Sequence, residues 1–125
     1  MIQGAEAEVE IKENKVIKKR PEKKYRHPEL DNRIRKQRTQ TEFSSMQKAR
    51  RNDVNVPKVE KDSDYILKIE KIEGKTLEED FKVEKMIEVG KNIQKLHEAG
   101  LIHGDLTTKN IISNSEINLI DFGLS

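Results

Sequence analysis

Residues 82–99, KVEKMIEVGKNIQKLHEA, carry the clearest helical signal in this chain. Val83, Met86, Ile87, Gly90, Ile93, Leu96 and His97 recur at spacings of three and four, and Gly100 stands where a left-handed residue closes a helix. A second long run, residues 28–52, opens with Pro28 and has no Gly or later Pro, with Glu29 and Asp31 near its positive end. Its apolar positions are sparse, so that helix packs on one side at most. The other apolar residues fall in short β-branched segments. The order is strands, one helix, strands, acidic helices, then a hairpin, which is α+β and not an alternating βαβ pattern.

The strands read as follows. Residues 7–20 alternate, with Val9 and Ile11 on one face and then Val16 and Lys18, a hairpin turning at Asn14 and ended by Pro21. Further strands are expected around 58–60 and 65–72, with Gly74 as punctuation. Thr76 and Glu79 form a capping box that starts an acidic helix. Leu101-Ile102-His103 reads as a short strand, and Ile111-Ile112 with residues 117–120 as a second hairpin around Ser113-Asn114-Ser115.

Composition narrows the class. Charged residues are 38% of the 125 and hydrophobic ones 33%. Leu, Ile, Val and Phe still make up about a quarter of the chain, above the roughly 20% below which disorder is expected. The length allows one ordinary domain or most of one. With no Cys there is no disulfide scaffold, thiol nucleophile or Cys-based metal site. No apolar run is long enough to cross a membrane and no signal-peptide core is visible, so a cytoplasmic protein without a membrane partner is expected. The net charge of +2 conceals a division: residues 15–51 hold 14 Lys/Arg and 4 acids, or +10, leaving −8 elsewhere. Such asymmetry points to a polyanion-facing region, of which Lys23, Lys24, Arg26, Arg33, Arg35 and Lys36 are the expected surface.

The chemistry concentrates in His103-Gly104-Asp105-Leu106-Thr107-Thr108-Lys109-Asn110 and, one hairpin later, Asp121-Phe122-Gly123. An Asp five residues before an Asn, then a second Asp, is what phosphoryl transfer needs. One carboxylate accepts the acceptor's proton, while the Asn and the other carboxylate hold Mg²⁺ against nucleotide phosphates. The two motifs in this order and spacing are far more specific than either alone. Upstream, Val16-Ile17-Lys18 fits the strand lysine that reaches the phosphates, and Glu42 in the long helix can pair with it. Lys19 competes, but alternation puts Lys18 on the face of Val16. Gly4-Ala5-Glu6-Ala7-Glu8-Val9 occupies the slot of a phosphate-covering loop, with one glycine instead of three.

These segments, with Lys24-Tyr25-Arg26-His27-Pro28-Glu29-Leu30-Asp31 and the run Arg38-Thr39 to Glu42, resemble the small atypical kinase of the KEOPS complex (the PRPK type) over essentially the whole chain. The resemblance implies a protein-kinase-like fold. Residues 1–72 would form an N-lobe of antiparallel sheet with one long helix plus the hinge, and residues 73–125 the start of a helical C-lobe that ends at the Asp-Phe-Gly motif. It implies an ATP-dependent Ser/Thr kinase or ATPase that uses Mg²⁺. Its partners would be a Kae1-type tRNA-modifying subunit, separate or fused, other KEOPS subunits, and tRNA directly or through the complex, in support of threonylcarbamoyladenosine formation. By residue, it assigns Asp105 as proton acceptor, Asn110 and Asp121 as Mg²⁺ ligands, Lys18 to the α/β-phosphates and Glu42 as its ion-pair partner. Gly4, Ala5, Glu6 and Ala7, with Val9 behind them, form the flap, and Ile69, Glu70 and Ile72 belong to the hinge that holds adenine.

Departures from ordinary protein kinases shape the expectation. Gly104 replaces the Arg that binds an activation-loop phosphate, and Thr107 replaces a Lys that helps neutralise the transferred group, so slow transfer or hydrolysis by water is expected. With nothing after Ser125 to bury the 82–99 helix, the 125-residue chain by itself is expected to be poorly stable and poorly active. Two further readings stay open. One is a small-molecule phosphotransferase of the aminoglycoside or choline kinase type, which a panel of alcohol acceptors would reveal. The other is a non-catalytic nucleotide-binding scaffold, against which intact Lys18, Asp105, Asn110 and Asp121 argue.

Overall fold

A computed structural model describes residues 2–3, 8–23, 27–101, 103, 106–120 and 122. Among the described residues, eight strands form two antiparallel sheets. The first contains β1 (Ile2–Gln3), β2 (Glu8–Lys12), β3 (Lys15–Lys19), β4 (Val59–Ser63) and β5 (Ile66–Glu70) in the order β1-β2-β3-β5-β4. The second contains β6 (Lys75–Thr76), β7 (Ile111–Ser113) and β8 (Ile117–Leu119) in chain order. Helix α1 (Pro28–Arg51) connects β3 to β4, and α2 (Met86–Glu98) lies between the two halves of the second sheet in sequence.

Register decides which side chains work together. Lys18 stands opposite Val9 on β2 and Leu67 on β5, while Val16 stands opposite Ile11 and Ile69. Because side chains alternate, Val9, Ile11, Val16, Lys18, Leu67 and Ile69 share one face and Lys19 points away from it. The β2–β3 turn is Glu13-Asn14, as the alternation requires, but the left-handed residue is Glu13, with φ of 52°.

Local signals set the helix ends. His27 caps α1, its Nδ1 accepting from the Glu29 N–H at 3.3 Å, and Pro28 takes the first turn. At the other end Asp53, with φ of 63°, lets the Val54 N–H reach back to Ala49 O at 3.0 Å. Helix α2 closes on Gly100, with φ of 77°, and the Leu101 N–H bonds Leu96 O at 3.0 Å, the Schellman pattern that its position implied. Gly74 is needed for space: at φ of 141° a Cβ there would meet Ser113 O at 2.6 Å.

Three sequence expectations are corrected. The Thr76–Glu79 box exists, with the Glu79 N–H on Thr76 Oγ1 at 3.2 Å and the Thr76 N–H on Glu79 Oε1 at 3.3 Å. No acidic helix grows from it, because Leu77 is drawn into the core and its N–H bonds Ile111 O, leaving a single turn. Leu101 and His103 lie outside any strand. The apolar stripe expected for α2 meets the core only in its second half, at Ile93 and Leu96. Val89, Asn92 and Leu96 are buried, whereas Val83, Met86, Ile87, Gly90 and His97 are exposed. Val83 belongs to a preceding 3₁₀ turn (Val83–Lys85), whose tighter winding takes it out of phase with the α-helix.

One apolar cluster runs through both sheets, including Met46 and Ala49 of α1, Leu67 of β5, Leu96 of α2 and Leu119 of β8. The link between α1 and β4 stitches the halves together. The Asn55 N–H bonds Asn92 Oδ1 at 3.1 Å, and Asn55 O accepts from the Leu119 N–H at 2.8 Å. Among the described residues no helix is long and apolar enough to cross a membrane.

Candidate active site

A buried carboxylate with two cations lies between the first sheet and α1. Lys18 Nζ donates to Glu42 Oε2 at 2.9 Å, and Arg20 Nη2 donates to Glu42 Oε1 at 3.1 Å. Glu42 is 1% exposed and Arg20 4%. Alternation on β3 explains why Lys18 faces α1 and Lys19 does not, and the helix delivers Glu42 in phase with buried Thr39, Ser45 and Met46. The sequence reading assigns Arg20 no role at the site. Its signal was present: it stands two residues beyond Lys18, so it falls on the same side. Val9 and Ile69 share the face of Lys18 by register.

A second ionic cluster corrects the expected basic surface. Arg35 is not part of it. Its Nε donates to Asp31 Oδ2 at 3.0 Å and its Nη1 to Arg20 O at 3.2 Å, and its guanidinium lies 4.0 Å from the Tyr65 ring centroid. Asp31 is fully buried and also accepts from the Lys23 N–H at 3.2 Å. The end of the block His27-Pro28-Glu29-Leu30-Asp31 is therefore a cap and a clamp for α1. Arg33 and Lys36 are exposed, Lys36 within 3.7 Å of Asp64, and Lys24 and Arg26 lie outside the described residues.

The expected hinge begins inside β5, whose last two residues are Ile69 and Glu70, and runs on through Lys71 and Ile72. The Glu70 N–H is taken by Lys58 O at 2.8 Å and the Lys71 N–H by Asn14 O at 3.0 Å. Of this segment, the Ile72 N–H has no backbone acceptor among the described residues. Asn114 Nδ2 donates to Glu73 O at 2.9 Å and so fixes the exit of the hinge on the second hairpin.

The two sequence motifs meet at Ile120. His103 Nε2 is 2.6 Å from Ile120 O, which requires the tautomer with hydrogen on Nε2, and the Ile120 N–H bonds Asn110 O at 2.9 Å. His103 is buried, and its ring lies 4.5 Å from that of Phe122, itself fully buried. Ile120 is thus fastened to His103 and to Asn110, the first and last residues of the first motif. Asp105 and Asp121, and the flap residues Gly4, Ala5, Glu6 and Ala7, lie outside the described residues. Among the described residues no cluster of His, Asp and Glu could hold a metal. Asn110 offers an amide oxygen in a 3₁₀ turn (Thr108–Asn110), where the exposed Lys109 and Thr107 flank it.

With this geometry in hand, the model of the RIO domain matches residues 7–125. The chain belongs to the RIO-domain family. Among curated relatives, this RIO-domain chain is 43% identical to a probable serine/threonine-protein kinase, a BUD32 homologue, of Archaeoglobus fulgidus, over 98% of the chain and 63% of that protein. It is 40% identical to the KEOPS complex subunit Bud32 of Pyrococcus abyssi, over 98% of the chain and 65% of that protein. It is 42% identical to a probable bifunctional tRNA threonylcarbamoyladenosine biosynthesis protein of Methanocorpusculum labreanum, 23% of whose length it covers. The chain therefore spans less than two thirds of each. A solved Rio2 kinase from Chaetomium thermophilum, crystallised as an ADP/Mg²⁺-phosphoaspartate complex, superposes with a TM-score of 0.76 at 19% identity over 97% of the chain. The kinase-like α+β fold is thereby established, with a long helix beside an antiparallel sheet, and the family is one of atypical kinases that includes KEOPS subunits.

Proposed function

We propose that this chain is the nucleotide-handling part of an ATP-dependent Ser/Thr kinase or ATPase of the KEOPS complex, acting in support of threonylcarbamoyladenosine modification of tRNA. The observation that carries the proposal is the double fastening of Ile120, by the His103 ring and by Asn110 O. It ties the first and last residues of the motif that contains Asp105 to the residue preceding Asp121 in sequence, and a phosphoryl-transfer site needs one proton acceptor and two oxygen ligands close together. The division at residues 72 and 73, between a sheet-and-α1 lobe and a second lobe, belongs to the same reading.

In this reading Val9 and Ile69 line the adenine side, and the Ile72 N–H is the hinge donor left for the base, since the Glu70 and Lys71 donors are already engaged. Lys18 binds the α/β-phosphates and Glu42 holds its ammonium in place. Gly4, Ala5, Glu6 and Ala7 cover the phosphates. Asn110 and Asp121 supply an amide and a carboxylate oxygen, a donor set that fits Mg²⁺, which when bound neutralises the phosphate oxygens. Asp105 accepts the proton of the attacking hydroxyl or water. Relatives named as a KEOPS subunit and as a bifunctional tRNA-modifying protein support a Kae1-type partner, separate or fused. The exposed Arg33 and Lys36, together with Lys23, Lys24 and Arg26 of the same basic segment, are the residues proposed to meet tRNA or that partner.

The test is ATP turnover by the full-length protein, with nucleotide binding followed separately by calorimetry. Asp105→Asn is expected to bind Mg·ATP normally and to lose turnover by about 10²-fold or more, the size of a general-base contribution. Asp121→Asn is expected to lose Mg-dependent nucleotide binding as well. Wild-type turnover in either variant refutes the assignment.

A further inference from the structure

We infer that Arg20 is a positioning residue: it anchors Glu42, and with it helix α1, independently of Lys18, so that Lys18 can serve the nucleotide without leaving a buried carboxylate uncompensated. Each oxygen of Glu42 has its own cation, Oε1 facing Arg20 and Oε2 facing Lys18. The two cations differ in how they are held. Arg20 is 4% exposed, its N–H bonds Tyr65 O at 3.0 Å, and its carbonyl accepts from Arg35 Nη1 at 3.2 Å. The residue is pinned at backbone and side chain between the β4–β5 turn and α1, and a guanidinium keeps its charge and presents its donors in a rigid fork. Lys18 ends in a single ammonium on a flexible stem, with a side chain 11% exposed.

A buried carboxylate with one cation loses its only compensation when that cation turns to another anion. Here the charge of Glu42 remains balanced by Arg20. Arg20 also connects the two ionic clusters. Its side chain holds Glu42 in the middle of α1, while its carbonyl is held by Arg35, which clamps Asp31 in the first turn. Helix α1 is thereby fixed to the end of β3 at two points along its length. The service to phosphates rests on the nucleotide reading above; the anchoring does not.

Hydrogen exchange on the nucleotide-free, full-length protein tests the anchor. In Lys18→Met the amides of residues 39–46 are expected to keep their protection within about twofold, and in Arg20→Met to lose about tenfold or more, the behaviour of a locally released helix. Equal loss in both variants, or full protection in Arg20→Met, overturns the inference. Should Arg20→Met fail to fold, the Lys18→Met arm still decides, since loss of protection there shows that Lys18 does the anchoring. ATP turnover provides the readout that packing does not move. At temperatures where both variants are folded, kcat of Arg20→Met is expected to fall about tenfold, as for a displaced catalytic group, and Arg20→Lys to recover most of it. A lowered melting temperature with unchanged kcat makes Arg20 a packing residue and overturns the inference. Absence of turnover in the wild-type protein would refute the nucleotide reading and leave the exchange result standing.

Discussion

The two helices bury opposite kinds of residue, and neither does so in the way its sequence pattern suggests. Helix α1, 24 residues long, buries Asp31, Thr39, Glu42 and Ser45 beside Met46 and Ala49. Helix α2, 13 residues long, buries Val89, Asn92 and Leu96 while Met86 and Ile87 face solvent. Apolar content therefore does not rank the two by how firmly they are held. What fixes α1 is a set of paired charges, and such pairs are strong chiefly in the sense that breaking one is expensive. What fixes α2 is a short apolar ridge and one asparagine. The polar burial in α1 is also where the candidate chemistry lies, so the local rule is broken at the site and followed away from it.

The sharpest way to break this comparison is Glu42→Ala. It removes one partner of a buried ion pair, leaving the 4%-exposed Arg20 without this carboxylate, and a cost of about 3–5 kcal/mol is expected. Lys18→Met removes the other contact of the same carboxylate but leaves Arg20 in place, and about 1 kcal/mol or less is expected. Urea denaturation of the full-length protein separates the two. Equal losses would mean that the two cations share the carboxylate evenly and that the contrast between them is wrong.

The apolar half of the comparison is tested on α2. Leu96→Ala is expected to cost about 2–5 kcal/mol, because Leu96 is 1% exposed within the cluster shared with Leu119 and Phe122. Ile87→Ala, at 72% exposure, is expected to stay within about 0.5 kcal/mol in the same urea measurement. Equal losses would mean that the Ile87 side of α2 is buried as well as the Leu96 side.

That face shows where the sequence stopped being informative. Residues 82–99 carry two apolar stripes, and periodicity identifies a helix without saying which stripe meets the core. The choice is made by Asn92, whose amide answers the Asn55 N–H across the molecule, a partnership no local pattern shows. Strand register was legible because it depends on a period of two and on one turn: Lys18 rather than Lys19 faces Glu42, and both hairpins form where alternation put them. Helix ends were legible from Pro28 and Gly100, whose backbone preferences are intrinsic. The basic segment was legible as charge and not as structure, since Arg20 and Arg35 are spent inside, on Glu42 and Asp31. Charge counting has no means of telling a buried guanidinium from a solvated one. The second sheet was half visible: its hairpin was expected, and the two-residue β6 that completes it was too short to leave a pattern.

Asn92 gives the most discriminating change. It is the polar residue that α2 does bury, and its amide does two things at once, accepting from the Asn55 N–H at 3.1 Å and donating to Glu88 O at 3.0 Å. Asn92→Ala leaves a buried backbone donor without its acceptor, and a loss of about 1–3 kcal/mol is expected. Asn92→Asp keeps an acceptor for Asn55 but sets a carboxylate against Glu88 O, so it rescues only part of the loss. If Asn92 acts as the stitch between the α1–β4 link and the second sheet, the effect is local. Exchange of the Asn55 and Leu119 amides, the latter bonded to Asn55 O, rises in Asn92→Ala while α1 keeps its protection. A loss spread evenly over α1 would instead mean that the asparagine supports the charged helix as well. The two helices would then form one cooperative unit rather than two held by different physics.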